Sequence, residues 1–431
     1  MPGSLRRSIA IVAVALLAVT GAPAAAQAHA RGRPYVTVGY FTQWGIYGRN
    51  FQLSKVQTSG AAARLTHLNY AFGTVTADRV CASADPWADW QTPFPAELSV
   101  DGVGDVPGQP IAGNLNQLAE LKRANPGLRV LISLGGWTGS AYFSDAALTD
   151  ESRATLVRSC VGLWLEGNLP GLAPGVAAGI FDGIDLDWEW PGSPGNAGNV
   201  IRPEDKRNFT LLAAEFRRQL DALGRSTGEH YDLTAFLPAA PAKMDAGFEA
   251  RRIFRYLDFA TVQGYDFHGS WELRTNQQSA LRVPRGAPDH PDFSIENAIG
   301  GWIARGAPRR QLVVGIPYYG QGWTGVTGGG TGLFAPAAGP APGTFAAGTE
   351  DFKVLETLPA AGYTLYRDRR AGHSWLFDGS TFWTYDDPVQ IRQKTAYIRA
   401  ARLGGAMMWS LDGDDATASL TRAVAAGLRS F

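Results

Sequence analysis

Cysteine, histidine and unbalanced charge are all scarce in this chain of 431 residues. It contains 2 cysteines and 6 histidines, and its 39 basic residues match its 39 acidic residues. Two cysteines cannot build a cysteine-rich metal site, and the histidines show no ligand spacing. A net charge of zero gives no indication of binding to nucleic acid or to an anionic membrane. We therefore expect no metal, no cofactor, and neither nucleic acid nor membrane as a partner.

Long apolar runs are confined to the N-terminus. Arg6 and Arg7 precede an apolar segment at residues 9–20, and small residues follow at 24–28. This arrangement is typical of a signal peptide, which we assign to residues 1–30. The apolar segment is short for a bilayer span, so a membrane anchor is the weaker alternative. The paired arginines are compatible with twin-arginine export, and the general secretory route fits equally well. We expect a secreted, soluble monomer.

The only two cysteines are Cys81 and Cys160. In an oxidising compartment outside the cell they are expected to form a disulfide. Two separate thiols are the alternative.

Eight short apolar runs alternate with helical stretches after the N-terminal segment. Strands are predicted at 35–40, 67–72, 129–134, 183–187, 232–236, 259–263, 312–316 and 405–409, and helices at 115–124, 153–165, 203–223, 295–305 and 388–401. This alternation indicates parallel βαβ units, and eight strands predict an α/β fold, a (β/α)8 TIM barrel. Asn114 and Asp387 are the predicted N-caps of two helices, with Pro388 in the first turn of the second.

One interval interrupts the alternation between the seventh strand and the helix predicted at 388. It is rich in glycine at 328–330 and in alanine and proline at 335–343, and it is too long for a plain loop. We predict a small α+β insertion domain at 320–383, between the seventh and eighth strands. The barrel then consists of residues 31–319 and 384–431.

The most informative segment is the run at 181–192, which reads FDGIDLDWEWPG. Asp185, Asp187 and Glu189 alternate with apolar residues, so these three carboxyls fall on one side of an extended chain. Carboxyls this crowded cannot all ionise, and at least one pKa is expected to rise. Chemistry explains such a cluster better than folding does.

Three interpretations of this run stay open on the residues alone. It could provide the acid and supporting carboxylates for glycoside hydrolysis, a divalent metal site, or a buried ion-pair network. Metal sites usually add histidine, asparagine or carbonyl ligands, whereas Trp188 and Trp190 stand here and suit the apolar faces of a sugar. Polar or aromatic residues also follow the other predicted strands, at the barrel face where active sites lie. The pattern favours glycoside hydrolysis.

Two motifs resemble those of glycoside hydrolase family 18, the chitinases. The segment 182–189, DGIDLDWE, is similar to the family signature D-G-x-D-x-D-x-E, and the segment 133–137, SLGGW, is similar to its S-x-G-G motif. The similarity extends from Val38 to Trp409, and the interval at 320–383 resembles the chitinase insertion domain, which deepens the substrate cleft. The resemblance implies a secreted chitinase that binds and hydrolyses β-1,4-linked N-acetylglucosamine in chitin or chitooligosaccharides.

The resemblance also implies residue roles. Glu189 would act as general acid and then as general base, and the 2-acetamido oxygen of the substrate would form an oxazolinium intermediate, with retention of configuration. Asp187 would orient the acetamide and share a proton with Asp185, and Tyr265 would hydrogen-bond the acetamide. The implied substrate-binding residues are Tyr40, Ser133, Gly136, Trp137, Trp190, Gln263, Asp266 and Trp409.

Three positions depart from the family pattern. Gln263 stands where methionine is usual, Trp190 where tyrosine is commoner, and Gln321 where arginine is usual, so a charged cleft contact is expected to be missing. Two other functions stay open: an endo-β-N-acetylglucosaminidase acting on N-glycans, and a non-catalytic chitin-binding lectin. The presence of Glu189 favours an enzyme over a lectin, and the predicted insertion favours chitin over N-glycans.

Overall fold

The computed structural model of the chain describes Met1 and residues 34–288 and 293–429. Apart from Met1, the predicted signal peptide lies outside the described residues. Among the residues that are described, no helix is both long enough and apolar enough to cross a membrane.

Eight parallel strands close into a barrel, as predicted. The first strand pairs with both the second and the eighth, so the barrel has no open edge. Each strand begins at or next to its predicted first residue, because the apolar runs that define the strands are buried on both faces. The barrel strands are Val36–Thr42, His67–Val75, Arg129–Gly135, Gly183–Asp187, Asp232–Leu237, Phe259–Val262, Leu312–Pro317 and Gly405–Trp409.

Helices connect successive strands around the barrel, a further helix follows the eighth strand, and one short helix lies in the insertion. The longer ones are Gly113–Ala124, Asp150–Cys160, Asp205–Thr227, Ile295–Ala304, Pro388–Ala400 and Ser419–Arg429, and the shorter ones are Leu53–Thr58, Gly136–Gly139, Phe143–Ala146, Pro241–Gly247, Ala250–Ile253 and Phe352–Leu355. The cap at Asp387 is confirmed, since its carboxylate accepts hydrogen bonds from the amides of Val389 and Gln390. All five predicted helices are present, and the helix predicted at 153–165 continues past Cys160 as a short π-helical turn, Val161–Leu165.

The predicted cap at Asn114 is wrong. The helix begins at Gly113, and Ala112 is its N-cap. Asn114 is fully buried, and its side-chain amide donates to the carbonyl of Gln43 at 3.3 Å and to the hydroxyl of Tyr70 at 3.0 Å. The side chain is used in a contact between distant elements, which a local capping pattern does not reveal.

A second sheet lies between the seventh and eighth barrel strands, which agrees with the predicted α+β insertion. It has its own small core, which includes Trp323, Trp375 and Phe382. The limits 320–383, and those of the two barrel segments, stay predictions. The strands of this mainly antiparallel sheet are Tyr319–Thr324, Gly339–Pro340, Thr349–Asp351, Thr364–Asp368, His373–Phe377 and Phe382–Tyr385.

A disulfide joins Cys81 to Cys160. Cys81 begins the short strand Cys81–Ser83, which pairs antiparallel with the end of the second barrel strand, and Cys160 ends the helix Asp150–Cys160. The bond therefore links a hairpin at the carboxyl end of the barrel to the outer helical layer.

Candidate active site

The fourth barrel strand, Gly183–Asp187, presents two chemically different faces. Ile184 and Leu186, together with Trp188 just beyond the strand, belong to the main apolar core. Asp185 and Asp187 alternate with them and are buried on the opposite face, toward the interior of the barrel. The predicted alternation is therefore present in the structure, because successive side chains of a strand point to opposite sides.

Asp185 is fixed at the centre of the barrel by three hydroxyl groups. Tyr40 on the first strand donates to its carboxylate at 2.6 Å, Ser133 on the third strand at 2.8 Å, and Thr234 on the fifth strand at 2.5 Å. Burial raises the pKa of Asp185, and these donors oppose the rise because they stabilise the ionised form. Asp185 is thus held in one orientation as an acceptor.

Asp187 is nearly as deeply buried as Asp185 but lacks its hydrogen bonds. Its side chain lines a cleft, and its Oδ1 atom has no hydrogen-bond partner among the described residues. Burial raises the pKa of Asp187 well above its ordinary value, and the negative charges of Glu189 and Asp185 raise it further. A buried polar atom without a partner costs about 1–3 kcal/mol, so this oxygen is suited to bond a group that enters the cleft.

Glu189 follows the strand by two residues and reaches the same cleft. Burial raises the pKa of Glu189 to about 8, with Lys243 lowering it and Asp266 raising it. Its backbone is held independently, because its amide donates to the Ser140 hydroxyl at 2.9 Å and its carbonyl accepts from the Asn199 amide at 2.8 Å. A carboxyl with this pKa is protonated at neutral pH and can act as a proton donor.

The cleft above the acidic run has a volume of about 780 Å³, a size that suits a small-molecule ligand. Its walls are mainly aromatic, and three tryptophan rings are substantially exposed: Trp44, Trp137 and Trp271. Flat exposed rings bury the apolar faces of a ligand at low cost in conformational entropy. The described residues that line the cleft are Trp44, Phe72, Trp137, Thr138, Asp187, Glu189, Trp190, Phe236, Lys243, Gln263, Tyr265, Asp266, Trp271 and Trp409.

Trp409, at the end of the eighth strand, forms one side of the cleft. Its ring lies 5.2 Å from that of Tyr40 and stacks on Phe72 at 5.8 Å between centroids. Gly136, the first residue of the short helix after the third strand, supports this group. It has a φ of +73°, and a Cβ added there would lie 2.6 Å from the Phe72 ring. Gly136 therefore makes room for Phe72, and it does not itself line the cleft.

Tyr265 and Asp266 extend the site from the end of the sixth strand. The Tyr265 ring packs on Phe236 and Tyr319, with centroids 6.2 Å and 6.1 Å away. The Asp266 carboxylate accepts hydrogen bonds from the Tyr319 hydroxyl at 2.7 Å and the Gln321 amide at 2.9 Å. Burial raises the pKa of Asp266, and both neutral donors lower it. The sheet of the insertion thus supports the cleft without adding a cation.

Gln263 and Trp190 are two of the positions that depart from the family pattern. The Gln263 side-chain oxygen accepts a hydrogen bond from the amide of Ala239 at 3.3 Å while the residue lines the cleft. The Trp190 ring is almost fully buried, and the ammonium of Lys243 lies 5.1 Å from its centroid. The indole Nε1 of Trp190 has no hydrogen-bond partner among the described residues.

The structure brings the proposed site residues together at one end of the barrel. Those that line the cleft are Asp187, Glu189, Tyr265, Trp137, Trp190, Gln263, Asp266 and Trp409. Those that support them are Tyr40, Ser133, Asp185 and Gly136. The lining residues that were not predicted as site residues are Trp44, Phe72, Thr138, Phe236, Lys243 and Trp271. Thr234, which donates to Asp185, was not predicted either. Thr234 could have been found, because it alternates with the core residues Leu233 and Ala235 on the fifth strand, whereas Lys243 has no local signal.

Comparisons with known proteins agree with this architecture. The model for "Glycosyl hydrolases family 18" matches residues 36–414. The chain is 38% identical over 387 residues to Chitinase C of Streptomyces lividans, covering 88% of this chain and 58% of the relative. It is 35% identical over 420 residues to Chitinase A1 of Niallia circulans, covering 88% and 56%. The chain therefore spans less than two thirds of the length of both relatives.

A solved structure is similar over nearly the whole described chain. The catalytic domain of psychrophilic chitinase B from Arthrobacter TAD20 aligns with a TM-score of 0.88 at 43% identity, covering 92% of this chain and 95% of that one. The family match includes the barrel strands, the sheet inserted between the last two, and every residue that lines the cleft. This chain belongs to glycosyl hydrolase family 18.

Proposed function

We propose that this protein is a chitinase that cleaves β-1,4-linked N-acetylglucosamine in chitin or chitooligosaccharides with retention of configuration. The observation that carries the proposal is the series Asp185, Asp187 and Glu189 at the end of the fourth strand, with Asp187 and Glu189 lining a mainly aromatic cleft. Burial raises the pKa of Glu189 to about 8, which suits a proton donor. The names of the relatives described above support the substrate class. The role assigned to each carboxyl rests on its surroundings in this chain.

In the first step, Glu189 donates its proton to the glycosidic oxygen as the bond from that oxygen to the anomeric carbon breaks. The carbonyl oxygen of the substrate's own 2-acetamido group attacks the anomeric carbon and forms an oxazolinium ring. The unpartnered Oδ1 of Asp187 is placed to accept the acetamide N–H, which would orient the carbonyl for attack. The negative charge of Asp187 would also stabilise the positive ring.

In the second step, the Glu189 carboxylate removes a proton from a water molecule that attacks the anomeric carbon. The oxazolinium ring opens, the acetamide is restored, and Glu189 regains its proton. Asp185 stays in place throughout, held by three hydroxyl donors. Its proximity raises the pKa of Asp187, which favours a proton shared between the two carboxyls before the substrate binds.

The proposal is tested with the N-acetylglucosamine hexamer. We expect the wild type to release oligomers whose newly formed reducing ends are β-anomers, as seen by NMR before mutarotation. Glu189→Gln should lower the rate of hydrolysis by about 10³-fold or more. The matched control is Glu97→Gln, at an exposed carboxyl, which should hydrolyse the hexamer at the wild-type rate. Activity should survive a chelator. The length distribution of the products also distinguishes endo from exo cleavage.

Three results would contradict the proposal. Hexamer binding without hydrolysis by the wild type would favour the lectin. Release of N-glycans from a glycoprotein without cleavage of the hexamer would favour the endo-β-N-acetylglucosaminidase. Hydrolysis that persists in Glu189→Gln would remove the assigned mechanism.

We also propose that the protein is exported and acts outside the cell as a monomer. The composition of residues 1–30 supports export. N-terminal sequencing of protein from the culture medium should begin near residue 30, and sedimentation should give a mass near that of one chain. Protein that stays in the cells and keeps residues 1–30 would contradict export.

A further inference from the structure

Lys243 is the single cation among the described residues that line the cleft. It lies on the helix Pro241–Gly247, which follows the fifth barrel strand. Its ammonium group lies 5.1 Å from the centroid of the Trp190 ring, and in the described part of the chain no hydrogen bond or ion pair engages it. A half-buried ammonium without a polar partner is available to act on whatever occupies the cleft.

Where the insertion supports the cleft, the contacts that the structure describes add no second cation. Gln321 and Tyr319 contact Asp266, and both are neutral donors. Lys243 and Glu189 both line the cleft, and the ammonium of Lys243 lies over the ring of Trp190, the residue that follows Glu189. Burial lowers the pKa of Lys243, and the opposite charge of Glu189 works against that lowering. Lys243 therefore lies on the side of the cleft that holds the proton donor.

We propose that Lys243 is a specificity-determining residue that disfavours a protonated glucosamine at the leaving-group sugar. The protein would then cleave acetylated segments in preference to partly deacetylated ones. This inference rests on the proposed function. The proton of Glu189 goes to the glycosidic oxygen of the leaving sugar, so a cation near Glu189 acts on that sugar. The sugar on the other side must carry an acetamide in any case, because its oxygen is the nucleophile.

Three carboxyls line the cleft, those of Asp187, Glu189 and Asp266, and the charge of Lys243 acts against their attraction for a cation. Glu189 is neutral when it acts as an acid, since burial raises its pKa to about 8. Burial raises the pKa of Asp266, and the hydrogen bonds donated by Tyr319 and Gln321 oppose that rise. An amide at the sugar's second carbon is neutral, whereas a free amine is protonated at mildly acidic pH. Lys243 therefore distinguishes the two sugars by charge.

The experiment uses partly deacetylated chitosan and sequences the products by mass spectrometry. The measured quantity is the ratio of glucosamine to N-acetylglucosamine at the new non-reducing ends, which come from the leaving-group sugar. Lys243→Gln should raise this ratio about fivefold, corresponding to roughly 1 kcal/mol for charges that water partly screens. Lys243→Arg should keep the wild-type ratio. Added salt should weaken the discrimination of the wild type and leave Lys243→Gln unaffected.

Lys206 supplies the matched control, because it lies outside the cleft and donates to the backbone carbonyl of Asp245. Lys206→Gln makes the same change of charge and should leave the ratio unchanged. An unchanged ratio in Lys243→Gln would overturn the inference, as would a ratio in Lys243→Arg equal to that in Lys243→Gln. If cleavage before glucosamine and cleavage before N-acetylglucosamine fell by the same factor, Lys243 would instead be a residue that positions Trp190. Failure of the wild type to cleave the acetylated hexamer would instead refute the proposed function.

Discussion

Replacing Glu189 with glutamine is expected to stabilise the folded protein at alkaline pH, although it removes the proton donor. Burial raises the pKa of Glu189 from 4.5 to about 8. Between these two values the folded state keeps a proton that the unfolded state has already lost. The stability of the wild type therefore falls as the pH rises from about 4.5 to about 8. Glutamine does not titrate, so the variant avoids this loss.

The size of the effect follows from the two pKa values. Their difference is about 8 minus 4.5, or about 3.5, and each pKa unit corresponds to about 1.36 kcal/mol. The upper limit is thus about 5 kcal/mol. The cleft admits water to the Glu189 carboxylate, and water screens part of the cost of its charge. We therefore expect a gain of about 2–3 kcal/mol in the free energy of unfolding.

The assay is urea unfolding, followed by tryptophan fluorescence, at about pH 4, 6, 7.5 and 9. The compared quantity is the difference between variant and wild type at each pH, in which the contributions of other titrating groups largely cancel. The difference should be near zero at the lowest pH and reach its full size above pH 8. Glu97→Gln, at an exposed carboxyl, should show no such trend. A difference that stays constant across the four pH values would refute the argument that Glu189 is buried in its neutral form.

Three further perturbations test other parts of the structure. Tyr40→Phe removes a donor to the buried carboxylate of Asp185. The free energy of unfolding in urea should fall by about 1–3 kcal/mol, and turnover should slow. Reduction of the disulfide between Cys81 and Cys160, which are 79 residues apart, should lower the free energy of unfolding by about 4 kcal/mol in thermal or urea scans. Trp137→Ala removes a ring that is 49% exposed in the cleft, and steady-state kinetics on the hexamer should show KM raised about fivefold to tenfold.

Each perturbation has a control on the same chain. Tyr47→Phe removes a hydroxyl that donates to Asp85 at the surface. It should lower the free energy of unfolding by much less than Tyr40→Phe does, and an equal loss would contradict the role given to burial. Trp87→Ala removes an exposed ring outside the cleft, and a matching rise in KM would contradict stacking by the ring at 137. Reductant should have no effect on a variant that lacks both cysteines.

The order of the strands and the direction of the key side chains follow from local pattern. Buried parallel strands are apolar runs bounded by helices, so all eight could be placed from the sequence. The alternation through Asp185, Asp187 and Glu189 placed the first two of these carboxyls toward the barrel interior, because a strand leaves no other choice once its apolar residues pack outward. The cap at Asp387 was equally local, since its partners are the next two or three residues.

What the sequence could not supply were contacts between residues far apart in the chain. Thr234 on Asp185, Gln321 on Asp266 and the use of Asn114 as an internal donor each join residues separated by about 45 positions or more. Such pairs depend on which strands close the barrel beside each other and on how the loops fold back over its end. No periodic pattern in the sequence predicts these long-range contacts.

The distinction between local pattern and long-range contacts also applies to the three carboxyls of the site. The segment 181–192 contains the three carboxyls at their spacing, and this pattern already indicated proton-transfer chemistry. Only the tertiary structure decided that Asp185 receives three hydroxyl donors, that Oδ1 of Asp187 has no partner among the described residues, and that Glu189 lines the same cleft as Lys243. Burial and neighbouring charge set the pKa of each group, and both are properties of the folded chain because they depend on what surrounds the side chain in space.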